Sequence, residues 1–191
     1  MNVPERSDHE LFNQIDQGRD EAFGALLAKH YDTLFAFAFK YCRCRSNAED
    51  ILQESLLKIS RNFHRFDRRH RFTTWAYRIV INTAKDLFEK ERRERIKQQA
   101  FAEEIVQSTA PDPLHEGLWE LLDRLPQKLY DAVTLVYGQG LNHAEAATAL
   151  GCAETTVSWR LYQARKKLTH QARRLGLVLL VFLFGGERWT R

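Results

Sequence analysis

The sequence predicts an all-α protein of two small helical domains joined by a flexible linker. Apolar residues recur at three- and four-residue steps along most of the chain, without the alternation of a strand. A stretch rich in Ser, Thr, Pro and Asp interrupts that period near Ser108 to Pro113. The length of 191 residues suits one medium or two small domains and excludes a large multidomain enzyme. With 44% hydrophobic and 28% charged residues, the chain has enough apolar side chains to offset the entropy of folding.

The first residues, Met1 to Phe12, carry Glu5, Asp8 and Glu10 and lack the apolar core of a secretory signal, so the reading expects a cytoplasmic protein. From Asp20, the residues Phe23, Leu26, Leu27, Tyr31, Leu34, Phe35 and Ala38 form one helix face. A second helix is expected from about Ala48, with Ile51, Leu52, Leu56 and Ile59 apolar and with Ser46 and Glu49 spaced as a capping box. Phe63 to Thr74 interleaves aromatic residues with cations before a helical run from Trp75 through Lys97. Domain boundaries follow at residues 1–97, a linker at 98–114, a second domain at 115–174 and an apolar extension at 175–191.

Four short helices are expected after the linker, at Leu118 to Leu125, Leu129 to Tyr137, Ala144 to Leu150 and Thr155 to Leu168. Ala147, Gly151 and Val157 then fall at helix-turn-helix spacing. A small residue lets two helices approach, glycine accepts a left-handed turn, and a valine buries the second helix on the first. Leu141, Leu150 and Leu161 complete that core. Thr155, Thr156, Ser158, Trp159, Tyr162 and Gln163 point away from it and are joined by Arg160, Arg165, Lys166 and Lys167, a surface suited to phosphates and base edges.

Charge is segregated. The 29 Lys and Arg against 25 Asp and Glu leave a net +4, which says little by itself, but Glu103 to Asp123 holds only acids while Arg160 to Arg174 is strongly basic. Cys42, Cys44 and Cys152 make neither a disulfide framework nor a four-ligand metal site, so no metal or cofactor is expected; metal or thiol sensing at Cys42-Arg43-Cys44 with His30 and His64 is the lesser alternative. The run Leu175 to Phe184 is shorter than the roughly 20 residues of a membrane span. It needs cover from a domain surface, a partner or a membrane interface. No phosphate-binding glycine loop or nucleophile-and-base set is present, and His143 with Glu145 reads as a polar pair at a helix start, so the chain is not read as an enzyme and no small-molecule substrate is expected.

Three stretches in order carry a family resemblance: Ala48-Glu49-Asp50-Ile51-Leu52-Gln53-Glu54; Phe66-Asp67 with Phe72-Thr73-Thr74-Trp75-Ala76-Tyr77-Arg78-Ile79 and Asn82; and Leu125-Pro126 with the helix-turn-helix. In these the chain, over roughly Phe23 to Leu168, resembles the extracytoplasmic-function group of bacterial RNA polymerase sigma factors. The resemblance implies a transcription initiation factor that binds core RNA polymerase and directs it to promoter DNA. By that likeness Asp50, Gln53 and Glu54, which share a helix face, bind polymerase.

Phe63, Phe66, Arg68, Arg69, Arg71, Phe72, Arg78 and Asn82 would capture the melted minus-ten strand, with Asp67 to Thr73 as a pocket wall and Trp75 and Ile79 as core. Thr155, Thr156, Ser158, Trp159, Arg160, Tyr162, Gln163, Arg165 and Lys166 would read the minus-thirty-five element. Leu56 stands where the family often has Phe, Ala76 where it usually has Leu, and Ser158 where many members carry a cation. The resemblance also implies an inhibitory anti-sigma factor, often membrane-anchored. Two other readings compete: a helix-turn-helix regulator independent of polymerase, which leaves residues 48–54 without a role, and an adaptor using the apolar tail at a membrane.

Overall fold

The structure is a computed structural model that describes residues 7–99 and 121–174, and the regular structure among those residues is helical. The chain divides into two compact units, residues 1–100 and 101–191. The expected extension at 175–191 lies outside the described residues, as do the start of the helix expected from Leu118 and the linker beyond Gln99.

The first unit opens with a helix the sequence reading did not anticipate, α1 at Asp8–Asp16. Its start is a reciprocal cap: Ser7 Oγ accepts from the Glu10 N–H, and the Glu10 carboxylate accepts from the Ser7 N–H at 2.7 Å. Short as it is, α1 depends on burying Leu11 and Phe12. Helix α2, Asp20–Cys42, buries Ala22, Leu26, Leu34, Phe37, Ala38 and Tyr41.

Tyr31, expected on that face, is 46% exposed. It stands five positions past Leu26, about 140° round a helix that turns about 100° per residue. Lys29 and His30 take the inward place at that turn by meeting Asp8 of α1.

Helix α3 runs Arg45–Asn62 and starts three residues before the expected Ala48. The predicted Ser46 and Glu49 box does not form. Cys44 is the N-cap with no side-chain bond, Ser46 lies inside the first turn, and Glu49 pairs with Arg45 at 2.9 Å. A 3-10 turn at Phe63–Arg65 and a loop lead to α4, Phe72–Gln99, again three residues ahead of the expected Trp75. The Arg71 carbonyl accepts the Trp75 N–H and begins that helix early. Helices α2, α3 and α4 pack on one another, and α1 packs on α2.

In the second unit Pro126 caps α5, Gln127–Val133, which passes into a π-helical turn at Thr134–Gly138. The helix expected at Leu129 to Tyr137 thus starts two residues early and its later half is wound more widely. Asn142 and Glu145 form a second capping box at the head of α6, His143–Leu150. Gly151 ends α6 at φ 61°, ψ 42°, the left-handed turn its position predicts. Helix α7, Glu154–Arg174, packs against α5 and α6 through buried Val157, Leu161, Ala164 and Leu168. Ala147 and Leu141 are buried as expected, while Leu150 is half-buried.

Two left-handed residues give opposite expectations. Gly151→Ala forces a Cβ into that region and should lower unfolding stability by about 1 to 2 kcal/mol. Arg43, at φ 55° after α2, already bears that cost, so Arg43→Gly should raise stability by up to about 1 kcal/mol. Urea unfolding of both variants measures the two shifts, and a shared sign would contradict the backbone assignment.

Candidate nucleic-acid and partner interfaces

Asp50, Gln53 and Glu54 stand together on the exposed face of α3, while Ile51, Leu52, Ser55 and Ile59 line its buried face. Burial on one side of α3 dictates that the polar set points to solvent. Leu57 adds an apolar side chain, 47% exposed, one turn beyond Gln53 and Glu54. The sequence reading did not single it out, although an unburied leucine beside two carboxylates could have signalled an anchor within a polar rim. Leu56 is half-buried.

The residues assigned to strand capture fall into three groups. Phe66 and Phe72 are 7% and 1% exposed, so neither presents a face on which a base can stack. They belong instead to a cluster around Phe63, a half-buried ring whose centroid lies 4.9 Å from Phe23, 6.0 Å from Phe66 and 6.5 Å from Trp75. Trp75 and Ile79, expected in the core, are half-buried. The reason is the early start of α4, which sets Arg71, Trp75, Arg78 and Asn82 at steps of four, three and four along one side. Arg71, Arg78 and Asn82 are exposed there and leave the tryptophan partly open beside them.

Arg68 and Arg69, the remaining cations, are already engaged. Arg68 makes a two-pronged ion pair with Asp16 at the end of α1, donates to the Phe12 carbonyl at 3.3 Å, and lies over the Phe12 ring. Arg69 chelates Asp67 through Nε and Nη2. That side-chain hydrogen bond, with one from the Arg69 backbone, holds the Asp67 carboxyl down to about 2. Asp8 is pulled two ways: burial raises its pKa, but hydrogen bonds and charges from Lys29 and His30 outweigh it and leave the carboxyl below its ordinary value.

These contacts border an open cavity of about 690 Å³. Its lining includes all of Asp67 to Thr73, the segment expected to wall a pocket. The remainder comes from Asp8, His9, Phe12 and Asn13 of α1, which the sequence reading gave no role in a site, and from His30 of α2, which it named only for the metal-sensing alternative. The signal was present as Ser7 and Glu10 at capping-box spacing before Leu11 and Phe12.

Thr155, Ser158, Trp159, Tyr162 and Lys166 are exposed on α7, with Trp159 at 59% and Tyr162 at 54%, while Thr156, Arg160, Gln163 and Arg165 are half-buried around them. Packing of Val157, Leu161 and Ala164 against α5 and α6 turns this stripe outward. Ser158 Oγ donates to the Glu154 carbonyl and lies 3.0 Å from His143 Nδ1, which ties the head of α6 to the exposed face of α7. Tyr137 holds its hydroxyl proton to about 12, because burial outweighs the nearby charge of Arg165.

At the cysteine pair, Cys42 Sγ donates to the Cys44 carbonyl at 3.2 Å and burial pushes the Cys42 thiol up. His30 is committed to Asp8, and among the described residues no three His, Cys, Asp or Glu side chains gather as a metal site. No described helix is long and apolar enough to cross a membrane.

The Sigma-70 region 2 family model matches residues 26–94, and that for Sigma-70, region 4 matches residues 115–168. The ECF RNA polymerase sigma-E factor of Haemophilus influenzae is 27% identical over 180 residues, 86% of this chain and 95% of that protein. The RNA polymerase sigma-H factor of Pseudomonas aeruginosa is 25% identical over 181 residues, 87% of this chain and 94% of that protein.

Among solved structures, CnrH in complex with the cytosolic domain of CnrY aligns with TM-score 0.65 and 24% identity over 87% of this chain and 97% of that one. The sigma factor RpoE of Bartonella quintana, in complex with the anti-sigma factor NepR, aligns with TM-score 0.61 and 24% identity over 79% of this chain and 96% of that one. The two likenesses show a shared fold. With both sigma-70 regions matched in order, across more than half of its length, the chain belongs to the extracytoplasmic-function group of RNA polymerase sigma factors.

Proposed function

We propose that this protein binds core RNA polymerase, directs it to a subset of promoters and captures the melted minus-ten strand. One observation supports this above the others: a single chain carries the region 2 and region 4 units in order, each with an exposed surface of the required chemistry. Polymerase docking is assigned to Asp50, Gln53 and Glu54 with Leu57 as the apolar anchor. Strand capture is assigned to Arg71, Arg78 and Asn82 with the open part of Trp75 and the loop cations Arg68 and Arg69. Unstacked bases need a replacement π-face and their backbone needs cations.

Phe63, Phe66 and Phe72 support that surface from beneath. The exposed residues of α7 meet the minus-thirty-five duplex. The protein works by binding rather than by catalysis, and its place of action is the cytoplasm. The two solved relatives are in complex with the cytosolic domain of CnrY and with the anti-sigma factor NepR, and an anti-sigma partner is proposed here too.

Run-off transcription with purified core polymerase tests the whole reading. Promoter-dependent product is expected only when this protein is added, whereas a regulator independent of polymerase would bind duplex without initiating. Two substitutions test the surfaces. Asp50→Lys and Glu54→Lys should each weaken binding to core polymerase about tenfold in competition assays without changing the melting temperature, since both side chains are exposed. Arg160→Ala should weaken binding to the upstream duplex for all sequences alike and reduce the slope of log affinity against log salt by about one.

A further inference from the structure

Helices α2 and α3 are joined by only two residues, Arg43 and Cys44. Cys42 is the last residue of α2 and Cys44 is the N-cap of α3, so a cysteine stands on each side of the arginine. Arg43 is the one non-glycine residue with positive φ among the described residues, at φ 55° and ψ 18°. That conformation is costly for a residue with a side chain, and a strained turn is worth reading for what it brings together.

It brings the two cysteines together. Across a residue of helical curvature, of either hand, Cα atoms two positions apart lie about 5.4 Å from each other, whereas an extended residue parts them by about 7 Å. A disulfide spans about 4.4 to 6.8 Å between Cα atoms, so left-handed Arg43 puts the pair within range. The side chains follow the backbone. Cys42 Sγ donates to the Cys44 carbonyl at 3.2 Å and is thereby turned towards residue 44. Burial pushes the Cys42 thiol up and a negative charge on Cys44 adds to the rise, so the two sulfurs lie within electrostatic reach. Cys44 is exposed, and its sulfur is not used to cap α3.

An exposed thiol oxidised alone climbs from sulfenic to sulfinic acid, which thiols do not reverse, whereas a second thiol within reach captures the sulfenic acid as a disulfide. We propose that Cys42 and Cys44 are a redox pair that a hydroperoxide closes to a disulfide, Cys44 reacting first and Cys42 resolving it. The Cys44 thiolate attacks the outer oxygen of the peroxide, the O–O bond breaks, and the alcohol leaves with the proton the thiol gave up. Cys42 Sγ then attacks Cys44 Sγ of the sulfenic acid, the S–O bond breaks, and the hydroxyl leaves as water with the Cys42 proton. The two thiols together lose two electrons, and the hydroperoxide is reduced to an alcohol and water. A small thiol such as glutathione reopens the disulfide by exchange. None of this chemistry depends on the sigma-factor reading.

The test counts thiols, titrated in urea, in the full-length protein freed of reductant, before and after hydrogen peroxide at a dose that oxidises free cysteine. Wild type should fall from three thiols to one while staying a monomer, and dithiothreitol should restore all three. Cys152→Ser should fall from two thiols to none, equally reversibly, which assigns the loss to Cys42 and Cys44. Cys42→Ser should instead gain two oxygens at Cys44 in its intact mass, a product that dithiothreitol does not reduce.

Three thiols surviving the peroxide overturn the proposal, as does a loss that dithiothreitol cannot reverse in wild type or a disulfide that links two chains. Reversible oxidation of Cys42→Ser, matching wild type, also overturns it, because Cys44 would then need no resolving partner. Melting temperatures of the reduced variants check the fold. Should Cys42→Ser not fold, the thiol count of monomeric Cys152→Ser decides alone: none left supports the pair and two left refutes it.

Discussion

Phe63 touches the rings of Phe12, Phe23, Phe66, Phe72 and Trp75, with centroids 4.9 to 6.5 Å away, and through them joins α1, α2, the end of α3 and the start of α4. Such pairs contribute about 0.5 to 1.5 kcal/mol each beyond their buried area, although rings that share a neighbour do not add independently. The loop between Phe66 and Phe72 has almost no regular structure of its own. It is fixed because both of its end residues are buried in this joint. Burial of the two phenylalanines is therefore what holds Arg68, Arg69, His70 and Arg71 at the surface, so in the proposed strand capture the aromatic residues contribute by placing those cations.

Helical period and turn chemistry made much of the fold legible. Ala147, Gly151 and Val157 located the turn before α7 because each residue type answers a different steric demand, and the observed φ of 61° at Gly151 meets the one expected of it. Helix starts were less legible. At Arg45 an i, i+4 ion pair with Glu49 took the acid that a capping box would have used, and at Phe72 burial of an aromatic ring extended α4 backward.

Helix α1 was missed because nine residues with two buried side chains give too short a period to register, and its stability comes from α2 and the loop rather than from itself. In the site, exposure of Asp50, Gln53 and Glu54 followed from one-sided burial of α3. The division of the strand-capture residues into supporting rings and presenting cations did not follow, since it depends on contacts between segments distant in sequence.

The electrostatics of the first unit show why its surfaces stay distinct. Acceptors gather on α3, where Asp50 and Glu54 face solvent, and cations gather on the loop and α4. Within the cation region the carboxylates are neutralised locally, Asp16 by Arg68, Asp67 by Arg69 and Asp8 by Lys29, so that Arg71 and Arg78 are not opposed by nearby unpaired acids of the cavity. A polyanionic strand and a basic protein surface can then be met by different faces of one small helical unit.

The surface proposed for the upstream duplex is one face of α7. That face has a serine at position 158, its hydroxyl already engaged by Glu154 and His143, beside exposed Trp159, Tyr162, Lys166 and Lys167 and half-buried Arg160 and Arg165. Its charge-assisted contacts to a duplex rest on these four cations, and the net charge of +4 adds little long-range attraction. Two weak sites on one chain gain affinity when something fixes the span between them, because the second contact becomes intramolecular and its effective concentration rises. A span that varies spreads that concentration over many separations. A third body that grips the acidic face of α3 and orders both units would concentrate it at one, which is the physical case for placing the proposed docking face and the two proposed DNA surfaces on one chain.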